Sequence, residues 1–251
     1  MVFLSGLGED VASTWTASGV PDIIAAGGGP GAATNATRVC VYDRPGLGAS
    51  DLAPTPRTVS NEVAELNTVV ERGAIPAPVV LVAQGYGCFV AREFGKDHLR
   101  SVAGLVLVDP PLDIVEPTPL STGTPGQLAE YGGVADLNAN LGAYGAGALP
   151  PPPAPAIVLG YGDGTPLPPN APPGAPTTSS GPPGAPRDTW PGAPAPTTPE
   201  HRRDLQAQLA RKGPFGSFTF VEGTGSYIEY WKPDAVVEAI RRVLADDRGL
   251  R

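Results

Sequence analysis

Residues 81–94 read LVAQGYGCFVAREF. An apolar run stops at Gln84, passes through Gly85-Tyr86-Gly87, and goes straight into a pattern with helical spacing. A strand that turns into a helix within three residues brings the two backbones close together. The flanking positions must then be small, and Ala83 and Gly87 meet that need. Gly85, at the tip of the turn, presents no side chain.

Working outward, short apolar runs alternate with helical patterns. VFLSG (2–6), RVCVYDRPG (38–46), PVVLVAQG (78–85), GLVLVDP (104–110), AIVLGYG (156–162) and SFTFVEG (217–223) read as strands. The apolar runs among them are continuous rather than alternating, as in strands covered on both faces of a parallel sheet. Helices are expected over 60–71, with Ser60 as N-cap and Val63, Leu66, Val69 and Val70 on one stripe, and over 87–97, 199–211 and 233–244. A short helix is expected near 127–141. Alternating strands and helices predict a single α/β domain over 1–251, with a mainly parallel sheet and helices on both faces. The predicted strand order is 2-1-3-4-5-6, with 2–6, 78–84 and 104–108 central and buried.

Two regions break the rhythm. Segment 111–154 is rich in Gly, Ala, Asn and Pro and reads as a cap-like insertion that covers a pocket only loosely. Segment 164–198 is a Pro/Gly-rich loop, since proline lacks the amide donor and fixes φ. Both are expected to be mobile and to lie over the C-terminal edge of the sheet. The proline-rich loop also offers a surface to a protein partner.

Composition narrows the function. The chain has 251 residues and a formal net charge of -8, with Lys and Arg scattered. An acidic chain without a basic stripe is a poor partner for nucleic acid or an anionic membrane. No run approaches the roughly 20 apolar residues of a membrane span. The start MVFLSGLGED lacks the basic and long apolar parts of a signal peptide, so a cytoplasmic protein is expected. Cys40 lies in an apolar run and is expected to be a buried free thiol. Cys88, at a helix start, is expected to pack in the core. No His, Cys, Asp or Glu set has metal-ligand spacing, and no cofactor motif occurs; Gly27-Gly28-Gly29-Pro30-Gly31 lacks a P-loop lysine.

The order of these pieces resembles an α/β-hydrolase. LVAQGYGCFVAREF has the context of that family's G-x-S-x-G nucleophile elbow. VFLSGLGED resembles its first oxyanion-hole strand and loop, and VYDRPGLGASD its D-R-x-G-x-G-x-S segment. GLVLVDPP resembles the next strand, and VEGTGSYIEYWKPDAVVEAIRRVL the C-terminal strand, histidine loop and final helix. The chain begins at what the family treats as its third strand, so the leading hairpin is missing. A shorter sheet or a truncated gene copy would both give this.

The resemblance implies a site, and this sequence departs from it. The nucleophile position holds Gly85 and the histidine position Ser226. The acid falls on Asp163, or on Asp109 as used by some members. His98 and His201, the only two histidines, fit no catalytic role and read as surface residues. The oxyanion hole falls on the amides of Leu7 and Tyr86. Ser5, Gln84, Tyr161 and Tyr227 are the expected ligand contacts. Three functions remain open. The first is a protein without a working triad that binds a small apolar or carbonyl-containing ligand. The second is a non-hydrolytic enzyme (lyase, cyclase or isomerase) using the oxyanion hole with an Asp or with Tyr86, Tyr161 or Tyr227. The third is a divergent ester hydrolase using Asp163 and water.

Overall fold

The computed structural model describes residues 1–27, 38–111, 121–143, 151–161, 198–225 and 227–249. Six parallel strands form one sheet: β1 (Val2–Leu4), β2 (Cys40–Val41), β3 (Val79–Gln84), β4 (Val102–Val108), β5 (Ala156–Gly160) and β6 (Ser217–Phe220). Their order is β2-β1-β3-β4-β5-β6, as the sequence predicts.

The continuous apolar runs divide between two cores by the alternation of strand side chains. Leu4, Leu81, Ala83, Leu105, Leu107 and Val158 face one core, under α2 (Val59–Arg72), α3 (Gly87–Asp97) and α6 (Pro199–Lys212). Phe3, Val80, Val82, Val106, Val108 and Leu159 face the other, under α1 (Val20–Ala25) and α8 (Pro233–Gly249). Trp15, in a π-helical turn at Ala12–Thr16, fills this second core and meets the Phe3 ring edge-on at 5.0 Å. Residues 217–220 complete the sheet, as β6 paired with β5.

Several local expectations change. The second strand is two residues long rather than nine, because the chain leaves the sheet after Val41 to place Asp43 and Arg44. The Asp43 carboxylate accepts from the amides of Val11 (2.8 Å) and Ala49 (3.1 Å). This edge strand leaves Cys40 half-buried, not buried. Cys88 is buried, and its Sγ lies 3.3 Å from the Ala83 carbonyl. The N-cap of α2 is Thr58, not Ser60; its hydroxyl accepts from the Asn61 amide, and the Asn61 side chain accepts from the Thr58 amide. A short helix α7 (Ile228–Trp231) precedes α8.

The described part of the cap holds two helices, α4 (Pro125–Tyr131) and α5 (Val134–Ala143), broken at Gly132-Gly133. Their cover is tight rather than loose, because polar groups and missing side chains do what apolar content was expected to do. A Cβ on Gly126 would lie 2.0 Å from the Gly8 carbonyl oxygen, and one on Gly46 would lie 2.4 Å from the Ala129 carbonyl oxygen. Beneath this contact lies a buried ionic network. Arg44 donates to the carbonyls of Ser5 and Gly6, each at 2.6 Å, and to Glu130 of α4. The other Glu130 oxygen accepts from the Gly8 amide at 2.9 Å. Arg57 pairs with Glu65 and donates to the Glu130 carbonyl. Glu62 accepts from the hydroxyls of Tyr86 (3.0 Å) and Tyr131 (2.8 Å), and Asn140 of α5 donates to both phenols. The expected mobile loop 164–198, except for Thr198, lies outside the described residues, as do 112–120 and 144–150 of the cap.

Two guanidiniums here face three carboxyls, and of the three Glu62 is the one pushed hardest toward its protonated form. Burial, and then the charge of Glu130, push its pKa up from 4.5 to about 8, against the pull of Arg44 and Arg57. A raised native pKa means that folding takes up a proton, so this stability is complete below about 4.5 and is lost as pH rises through about 8. Each such proton contributes a slope of about 1.4 kcal/mol per pH unit inside that window. Urea unfolding at intervals between pH 5 and 8 should therefore show falling stability. Glu62→Gln should flatten the decline by one proton's worth, and an unchanged slope would place the proton elsewhere.

Candidate functional site

The turn after β3 is the sharp elbow that its small residues require. Gly85 has φ +51°, in the left-handed region, and its amide donates to the Val108 carbonyl at 3.0 Å. A Cβ on Gly87 would lie 2.7 Å from the Ser5 carbonyl oxygen, so glycine alone fits there. A Cβ on Gly85 would meet only the Gly6 Cα, at an ordinary 3.8 Å. Among the described residues the tip meets nothing else, and it faces the loop that follows β1.

That loop carries the expected oxyanion donor Leu7. Neither the Leu7 nor the Tyr86 amide has a hydrogen-bond partner among the described residues. Arg44 fixes the loop from below through the Ser5 and Gly6 carbonyls, leaving the amides on the other side of those peptides free to point elsewhere. Ser5 is buried, and its hydroxyl pairs with Thr14 at 2.8 Å.

The remaining expected residues separate into three groups. Tyr86 is buried, and its hydroxyl belongs to the ionic network, with Glu62, Tyr131 and Asn140. Burial, and then the Glu62 charge, hold it well above the ordinary phenol range, so its phenol is bound under the cap and not presented to the tip. Asp109 ends β4 with φ +46°, and its carboxylate accepts from the Gln206 side chain of α6 at 3.0 Å. Tyr161 is buried with the Arg202 guanidinium 5.4 Å from its ring centre. Asp163 and Ser226 lie outside the described residues. His98 stacks on Phe94 at 4.6 Å, and His201 is exposed in the first turn of α6. Burial pushes the Cys88 thiol well above its ordinary range, which outweighs its place at a helix start.

Gln84 and Tyr227 meet at a residue that sequence reasoning missed, Glu9. The Tyr227 hydroxyl donates to Glu9 Oε1 at 2.8 Å. Glu9 Oε2 is buried without a partner, and so is Gln84 Oε1. The two oxygens lie 2.4 and 2.5 Å from where a Cβ on Gly6 would be. Both thus converge on the same bare backbone that the elbow tip faces. Burial raises the Glu9 carboxyl to about 7, against the Tyr227 hydrogen bond, the Arg44 charge and the Gly6 backbone bond, which lower it. Glu229 of α7 is fully buried with neither oxygen partnered, and burial holds it well above the carboxylate range. The available signal was an acid directly behind a glycine loop, in SGLGED, and a lone acid within IEYW. Among the described residues no three His, Cys, Asp or Glu side chains converge as metal ligands, and no helix is long and apolar enough to cross a membrane.

Comparison with known proteins places this architecture. A thermophilic esterase from Thermogutta terrifontis superposes with a TM-score of 0.64 at 16% identity, covering 98% of this chain and 89% of that one. An enol-lactonase from Burkholderia xenovorans superposes with a TM-score of 0.60 at 14% identity, covering 97% and 90%. At such identities the likeness concerns the fold. In sequence, an AB hydrolase superfamily protein of Gibberella zeae is 37% identical over 76 residues, 29% of this chain and 24% of that protein. Protein YqjL of Bacillus subtilis is 28% identical over 74 residues, 30% of this chain and 29% of that protein. These matches therefore span less than a third of each curated relative. The family model described as "Alpha/beta hydrolase family" matches residues 1–239, nearly the whole of this sheet and its helices, and the chain belongs to that family.

Proposed function

We propose that this chain binds a small apolar or carbonyl-containing ligand in the cleft above Gly85 and does not perform serine-hydrolase chemistry. The observation that carries the reading is the elbow itself. Its backbone has the left-handed φ of a nucleophile turn, yet its tip has no side chain and open space beside Gly6. The amides of Leu7 and Tyr86, adjacent in sequence to Gly6 and Gly85, have no partner among the described residues and can donate to a carbonyl oxygen. The two histidines of the chain have other surroundings: His98 stacks on Phe94, and His201 is exposed on α6. Asp109 retains a polar role at the end of β4, but with Gln206 as partner it has no imidazole to orient.

Two experiments test this. Fluorophosphonate probes should not label the wild type, and p-nitrophenyl acetate should not turn over above buffer. Stoichiometric labelling of a serine near the cleft would overturn the reading. The second experiment is a rescue. Gly85→Ser with Ser226→His should restore ester hydrolysis, whereas neither single change should. A serine without a base stays protonated, and a histidine without a nucleophile has nothing to activate. Triad members act as a unit, so the gain should be strongly non-additive. The structure leaves room for the new Cβ, at 3.8 Å from Gly6 Cα. The positive φ adds roughly 1–3 kcal/mol of strain. Circular dichroism should show a folded double variant. A folded double variant no faster than either single would mean that positions 85 and 226 do not face each other.

A further inference from the structure

We infer that Glu9 is the general base of a proton-transfer site, taking a proton from the carbon next to a carbonyl whose oxygen lies on the amides of Leu7 and Tyr86. The inference rests on the ligand reading above and adds a reaction to it.

The geometry carries it. Glu9 follows the glycine loop directly, and its carboxylate folds back over Gly6. Oε1 is held by the Tyr227 hydroxyl at 2.8 Å. Oε2 is buried and lacks a hydrogen bond of normal geometry, with only the Gly6 backbone acting on it, and a buried carboxylate oxygen so poorly served is costly. It lies beside Gly6, the residue that the open tip at Gly85 faces. Gly6 thus has the tip at Gly85 and the Glu9 carboxylate as neighbours, and the next residue, Leu7, carries an amide without a partner among the described residues. A third buried acceptor, Gln84 Oε1, lies beside the same Gly6.

The step balances within these groups. The C–H bond breaks, its proton passes to Glu9 Oε2, and its electron pair forms the C=C bond of an enolate. The charge moves onto the carbonyl oxygen, where the amides receive it. Return of the same proton to another carbon of the conjugated anion completes an isomerisation, with no oxidant, reductant or co-reactant. Tyr227 is a positioning residue that acts through Glu9.

Among the described residues, the charged or titratable groups that act on Glu9 are Arg44, Tyr227 and Asp10. Arg44 and the Tyr227 hydrogen bond favour its ionised form, while Asp10 opposes it. Glu229 and Tyr230 also feel its charge. Burial, and then the Glu9 and Asp109 charges, push the Glu229 carboxyl upward. The resulting value near 7 suits a base that works at neutral pH.

The probe is 5-nitrobenzisoxazole, a small planar ring opened by a single base. The base takes the C3 proton, the N–O bond breaks, and the phenolate leaves with the electron pair. The full chain should open it faster than buffer, with a rate that rises through an inflection near pH 7. Glu9→Gln should lose about 10²-fold, within the usual range of general-base effects. Tyr227→Phe removes a bond that favours the carboxylate. It should keep turnover while its inflection moves to higher pH, a shift that a merely structural tyrosine would not produce. If Glu9→Gln fails to fold, the wild-type inflection and its displacement in Tyr227→Phe carry the test. A wild type no faster than buffer, or a folded Glu9→Gln as fast as wild type, overturns the inference. A probe that stabilises the protein in thermal melts without being opened overturns the base alone and leaves the ligand reading standing. Ester hydrolysis by the wild type would instead bring down the ligand reading.

Discussion

One guanidinium holds the candidate site in shape. Arg44 sends two N–H groups to the carbonyls of Ser5 and Gly6 and a third to Glu130. The first pair fixes the loop after β1, and the last ties that loop to a cap helix more than eighty residues away. Taking a charge out of water is expensive unless its hydrogen-bonding capacity is met. Burial works against the Arg44 charge, yet the carboxylates of Glu130 and Glu62 outweigh it and keep the group protonated. The same Glu130 accepts from the Gly8 amide. Loop, cap and α2 therefore share one set of charges, and removing any one partner would strand the others in the interior. Fixing the peptide planes of Ser5 and Gly6 also fixes where the next amide, that of Leu7, points.

This explains which features were legible in the sequence. The sheet order follows from apolar runs, glycine turns and the handedness of crossovers, which are local signals read in order. The elbow was legible for the same reason, since small residues at fixed offsets encode a close backbone approach. The network was not. Arg44, Arg57, Glu62 and Glu130 are ordinary charged residues in their own segments, and only the fold brings them together. Glu62 even sits beside the apolar stripe of α2, next to Val63, where its burial breaks the helical pattern. The cap was misjudged on the same ground. Its attachment depends on glycine contacts and buried polar pairs, which apolar content does not report.

Glycine at the elbow has two separate effects. It leaves the tip of the turn without a side chain, and it relieves the strain that any other residue would store at φ +51°. The cleft has nevertheless kept what surrounds a strained turn: Gly87 packed on the Ser5 carbonyl and the Gly85 amide bonded to Val108. A site without constraint would have no reason to hold Gly87 bare against that carbonyl.

The unpartnered atoms around the tip give the last step. Glu9 Oε2, Gln84 Oε1 and both oxygens of Glu229 are all acceptors, or donors only once protonated. In a serine hydrolase the tip needs an imidazole that accepts a proton and passes it on. Here the groups able to hold a proton near neutral pH are carboxyls, and burial rather than a neighbouring base sets their readiness. Two of these carboxyls, Glu9 and Glu229, are carried by the loop after β1 and by α7. Arg44 braces that loop from below while Tyr227 grips its carboxylate from above, so the backbone that aims the Leu7 amide also aims Glu9. A single rigid turn carries both groups, and any displacement of it must move donor and base together.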